Sequence, residues 1–231
     1  MTEDDTDSDI FSAVRAHVVV VLSGPRGPDG RAETNPNPGR IRKGLRVARK
    51  YQAPLMVSCH PDEVGLITGE LIRVAQQEDI ATDMHVDPWA YHTMGNAMYS
   101  LQKVRHKFRN WIVEKPVCHV VTCEGHRERA EFIFRAFQKL YRRYDHDWKD
   151  FPLSLRFHSA PHETDEDYNR SWVERESAKR LETYGFLEEW KCSPERLMAK
   201  VAEIKRAIEL EAAKPRPQLL SSNALRSLVP A

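Results

Sequence analysis

Residues Cys118–Tyr144, C-H-V-V-T-C-E-G-H-R-E-R-A-E-F-I-F-R-A-F-Q-K-L-Y-R-R-Y, decide how the rest of this chain is read. Cys118-His119-Val120-Val121 is short, apolar and β-branched, the composition of a strand buried on both faces. Gly125 interrupts that run, and beyond it Ala130, Ile133, Phe137, Leu140 and Tyr144 recur at steps of three and four. This is the apolar stripe of an amphipathic helix packed on a sheet. His126 and Arg129 share the face of the stripe but sit at its start, which predicts a place over the carboxyl end of the strand. Free N–H groups at a helix start favour an anion, and in an open α/β sheet ligands bind in the crevice at that edge. The plainer roles are a helix cap for His126 and a surface carboxylate partner for Arg129.

The same alternation extends outward in both directions. Strands are expected at Val18–Leu22, Leu55–Ser58, Asp83–Val86, Val117–Val121 and Leu153–Phe157, with helices at 40–51, 66–77, 94–104 and from Gly125 onward. Thr93 reads as the cap of the third helix. Strands alternating with helices predict a Rossmann-like three-layer α/β/α sandwich on a mostly parallel sheet of about five strands. Residues 1–15 are acidic and read as disordered. Residues 16–160 form the α/β domain, 161–213 an additional helical extension, and 214–231 a loose tail. Polar residues gather where each strand ends: Ser23 and Gly24; Cys59, His60 and Asp62; Asp87 with Thr93 and Asn96; Thr122 with His126 and Arg129.

Composition narrows the function classes. The formal net charge of +1 and the lack of a strongly basic segment argue against a nucleic-acid protein. The basic row Arg42, Arg46 and Arg49 reads as a solvated helix face. The longest apolar run, His17–Leu22, is strand-sized, so no membrane span is expected. An acidic start is the reverse of a secretory leader, which points to the cytoplasm. The four cysteines have no paired C-x-x-C spacing and read as free thiols.

The order of motifs resembles the bacterial family of Rossmann-like domains that includes SanA, ElyC and YdcF. The residues that carry the resemblance are Ser23-Gly24 after the first strand, Arg40 opening a helix and Glu70 on the next one. Asp87 ahead of Thr93-Met94-Gly95-Asn96-Ala97, and Thr122 through Ala130, complete the series. It covers roughly residues 16–159. The resemblance implies a pocket at these motifs and S-adenosylmethionine as a candidate cofactor, since one member is reported to bind it. Cys59-His60-Pro61 replaces the family's glycines after the second strand, and the C-terminal helices are additional.

The leading expectation is a small-molecule enzyme, a transferase or hydrolase, or a binder whose ligand carries an anionic or nucleotide-like group. Arg40 and Arg129 would hold charge, and Ser23, Gly24, His60, Thr93, Asn96 and Thr122 would complete the site. His126 is the first acid/base candidate because imidazole titrates near neutrality, with Glu70 and Asp87 beside it as catalytic candidates. Rival enzymes would use Cys59 or Cys123 as nucleophile, or a metal on His60, Asp62 and His126. A non-catalytic interaction protein, docking or self-associating through 168–213, is the alternative from another class.

Overall fold

In the computed structural model, residues 17–23, 38–88, 93–108, 116–144 and 148–161 are described, together with 174, 203 and 206. The elements alternate as expected: β1 (His17–Leu22), α1 (Pro38–Tyr51), β2 (Leu55–Ser58), α2 (Val64–Gln77), β3 (Met84–Asp87), α3 (Thr93–Phe108), β4 (Val117–Cys123), α4 (Glu124–Tyr144) and β5 (Ser154–Ala160). All five strands are parallel, in the order β3-β2-β1-β4-β5. The chain is therefore an α/β protein of the Rossmann-like kind. The expected helical extension and tail lie outside the described residues, apart from Glu174, Glu203 and Arg206.

Two apolar layers hold the helices on. Val19 and Val21 of β1 turn to one face and pack with Ile41 and Leu45 of α1 and Ile67 and Leu71 of α2. Val18, Val20 and Leu22 turn to the other and pack with Met98 and Leu101 of α3 and Ile133, Phe134 and Phe137 of α4. A strand's side chains alternate between faces, so a strand buried on both sides needs an unbroken apolar run. Gly44 lets α1 settle on β1, because a Cβ there would stand 2.3 Å from Val21 Cγ2.

Several boundaries differ from expectation for physical reasons. The fourth helix begins at Glu124, and Gly125 lies inside its first turn rather than breaking the chain before it. β4 continues through Thr122 and Cys123 because β5 pairs with it over all seven residues, from Val117↔Ser154 to Cys123↔Ala160. His158 and Ser159 are consequently strand residues and not part of a loop. Among the described residues no helix is long and apolar enough to cross a membrane.

Candidate functional site

Strand order reverses between β1 and β4: from β1 the chain moves outward to β2 and β3, and from β4 it moves the other way to β5. In doubly wound sheets this reversal opens a crevice at the carboxyl edge. Arg40, in the first turn of α1, lies across it with only 1 % of its surface exposed. Its Nη1 donates to the carbonyls of Leu22 at 3.1 Å and Ser23 at 2.8 Å, at the end of β1. Its Nη2 reaches Cys123 Sγ at 2.8 Å, at the end of β4. The arginine thus ties together the two strands that flank the reversal.

His126 is next along the edge. The α4 turn carries it back over the end of β4, where Thr122 Oγ1 lies 2.9 Å from Nδ1. Thr93 Oγ1, at the start of α3, lies 3.1 Å from Nε2. Both ring nitrogens are occupied by hydroxyls, and the ring is buried. His126 is thus enclosed between Thr122 and Thr93, and both threonines are themselves buried. One turn along α3, Asn96 Oδ1 accepts a hydrogen bond from Ser58 Oγ at 2.8 Å, at the end of β2.

Asp87 closes β3 and is fully buried. Its Oδ1 takes Lys103 Nζ at 2.6 Å, while Oδ2 is buried without a hydrogen-bond partner among the described residues. The peptide backbone links it to the next strand, since Cys59 N–H donates to Asp87 O at 2.9 Å. Cys123, Arg40, Thr122, His126, Thr93, Asn96, Ser58 and Asp87 form a polar seam over the carboxyl ends of β4, β1, β2 and β3.

Other candidates are placed differently. His60 caps the single 3-10 turn Pro61–Glu63: its Nδ1 accepts from Asp62 N–H at 3.2 Å, and Glu63 Oε2 accepts from His60 N–H at 3.3 Å. Glu70 lies along the outside of α2 and binds the guanidinium of Arg73, which also donates to Gln77. That ion pair lies within one helix. Arg129 is half-buried on α4, and Gly24 lies outside the described residues.

The candidate cysteines are both enclosed. Cys59 is fully buried, and that burial, with Glu63 and Asp87 adding to it, pushes its thiol well above the ordinary range. A thiol held protonated is a poor nucleophile. Cys123 is buried and spends its sulfur on Arg40. Among the described residues no three histidine, cysteine, aspartate or glutamate side chains come together as metal ligands.

Ser58 and Lys103 belong to the seam although neither stood out as a site residue in the sequence. A signal for the lysine existed: Thr93, Asn96, Ser100 and Lys103 follow one another at three- and four-residue steps, a polar stripe on α3. Compared with protein-family models, curated proteins and solved structures, the chain matches none.

Proposed function

We propose that this chain is a small-molecule enzyme or binder whose ligand carries an anionic or nucleotide-like group and sits at the carboxyl edge of the sheet. One observation carries this reading: the polar seam, from Arg40 at the strand reversal to Asp87, in a place where apolar side chains would fill the space at lower cost. Burying polar groups costs free energy unless each is satisfied, and chains tend to keep such breaches of the apolar rule at functional sites. The resemblance to the SanA, ElyC and YdcF family supports the same location.

The donor set is mixed. Hydroxyls at Thr93 and Ser58, the amide of Asn96 and the buried Oδ2 of Asp87, which has no hydrogen-bond partner among the described residues, suit a ligand with both donors and acceptors. S-adenosylmethionine, with ribose hydroxyls, an amino group and a carboxylate, fits that set in kind. When bound it would supply a transferable methyl group. His126 is the proton-handling residue of this proposal, exchanging a proton with the ligand through the Thr93 hydroxyl, which can accept from one partner while donating to the other.

Thermal-shift and calorimetric titration with S-adenosylmethionine, adenosine nucleotides and phosphorylated sugars tests it. The expected result is saturable binding that Arg129→Ala weakens about ten- to a hundredfold, the scale of one charge-assisted hydrogen bond. His126→Ala leaves two buried hydroxyls without their partner and should lower stability by about 1–3 kcal/mol, and it should abolish any turnover found per folded molecule. A His126→Ala protein that melts early but retains full activity per folded molecule would make the histidine structural. Absence of binding across the panel would favour the non-catalytic alternative.

A further inference from the structure

A second polar assembly lies away from the seam, on the α1-facing side of the β1–β4–β5 half of the sheet. His17 Nδ1 is 2.9 Å from His119 Nε2, and His119 Nδ1 is 2.9 Å from His158 Nε2, so three imidazoles on three strands form one hydrogen-bonded row. Tyr51, the last residue of α1, stacks on His17 and His119 with ring centroids 4.7 and 4.4 Å apart. His119 and His158 stack at 5.1 Å. His119 is fully buried, whereas His17, His158 and Tyr51 are half-buried. The row is therefore the floor of a surface strip.

Cations border this floor on both sides. Arg156 pairs in register with His119, and His158 with Val121, so Arg156 and His158 both stand on the α1 side of β5. On α1, Lys43, Val47 and Lys50 share one flank by helical spacing, and Lys50 Nζ lies over the Tyr51 ring at 5.4 Å from its centroid. Arg127 stands exposed in the first turn of α4, past the end of β4.

Elsewhere among the described residues several basic side chains are matched, Arg42 and Arg46 with Glu78, Arg73 with Glu70, Lys103 with Asp87, and Arg135 with Glu131; Lys107, Lys139 and Lys149 have no carboxylate within ion-pair distance there, but they do not gather at one place with a ring floor. Among the described residues none of Lys43, Lys50, Arg127 and Arg156 has a carboxylate within ion-pair distance. The cations that reach His158 are these four, and they push its protonation down together with burial. Only Arg156 and Lys50 act likewise on His119. The four thus divide into Lys43 with Arg127 towards the carboxyl edge and Lys50 with Arg156 towards the amino edge.

We propose that this strip is a binding site for an anion with two or more linked phosphates, separate from the seam at the carboxyl edge. Lys43 and Lys50, seven residues apart on one helix, are about 10 Å apart along its axis. A linear oligophosphate can therefore meet both cation pairs at once, whereas a single phosphate meets one. Protonation is pushed down at His119 and His158, so these two add no charge, and the linked row leaves an N–H donor at one of its ends. A cation-rich surface of this kind also excludes a divalent metal, which would face four like charges.

Titration calorimetry of the full chain with orthophosphate, pyrophosphate and tripolyphosphate, at matched ionic strength, tests the assignment. Affinity should rise at least about tenfold from orthophosphate to tripolyphosphate. The double variants K43Q/R127Q and K50Q/R156Q should each lower tripolyphosphate affinity about tenfold or more, the cost of removing charge-assisted bonds. His126→Ala should leave it unchanged. If a double variant melts early, the charge-keeping K50R/R156K must restore binding. Equal affinity for all three anions overturns the proposal, as does indifference to the double variants, failure of that restoration, or loss of binding in His126→Ala. Tighter binding of a single-stranded oligonucleotide through the same four residues also overturns it, in favour of a nucleic-acid surface.

Discussion

His126 and His119 are both enclosed, with 5 % and 0 % of their surfaces exposed, and both rings have a polar neighbour at each nitrogen. The neighbours differ in kind. Two threonine hydroxyls hold His126, and a hydroxyl can rotate to donate or accept. Either neutral tautomer is satisfied there, and so is the protonated ring, since both hydroxyls can accept from it. His119 lies between two imidazoles, within reach of Arg156 and Lys50. Burial first, then His158, His17 and those two cations, push its protonation down to about 3. Enclosure alone therefore does not set what a histidine can do. The proton inventory of its neighbours differs too: hydroxyls flank His126, and imidazoles flank His119.

Three experiments probe that contrast. The largest effect is expected at the end of the seam. Lys103→Ala strands the buried Asp87 carboxylate and should lower stability by about 3 kcal/mol in urea unfolding. This is the low end for breaking a buried pair, because Lys103 is itself about a third exposed. A loss below about 1 kcal/mol would mean that Asp87 is held chiefly by other groups.

The second effect concerns pH. His119 takes a proton at about pH 3 when folded, against about 6.5 when unfolded. Between those values the unfolded chain binds more protons, so stability falls as pH falls from 6.5. At about 1.4 kcal/mol per unit, His119 should account for roughly 2–3 kcal/mol of the loss by pH 4.5. His158, lowered in the same direction, adds to it. Urea unfolding at pH 7 and 4.5 should show a smaller loss in His119→Leu than in wild type. An identical acid loss in both proteins would remove His119 from the account.

The smallest effect separates the two sites most directly. Thr122→Val keeps shape but deprives His126 Nδ1 of its partner, and should cost about 1–2 kcal/mol. Because Thr93 remains, ligand affinity should change less than stability does. A variant as stable as wild type would show that the Thr122 contact is dispensable.

The two flanks of α1 show how far local pattern reaches. Arg42 and Arg46 were legible as a basic row, and they do lie outward, bound to Glu78 of the residue following α2. Lys43 and Lys50 belong to the same helix, but nothing local distinguishes their flank. Only β5, more than a hundred residues later, makes that flank part of a cationic strip. Among candidate site residues, the positions of His126, Thr93, Thr122, Asn96, Arg40 and Asp87 were legible because each lies in the last residues of a strand or the first turn of a helix. Glu70 pairs with Arg73, three residues on, a contact its own helix supplies. His60 became a cap because the chain turns at once through Pro61.

The sequence by itself determined the alternation of five strands and four helices, and with it the row of polar residues at the carboxyl edge. Those features depend on burial period and on helix starts, which involve residues within a few positions of each other. Only the tertiary structure decided the order β3-β2-β1-β4-β5, which lays Arg40 across the reversal, and the contacts of His119 with His17 and His158 at separations of 102 and 39 residues. Strand order and register follow from which apolar faces bury most completely against one another, a property of the whole sheet that no single segment carries.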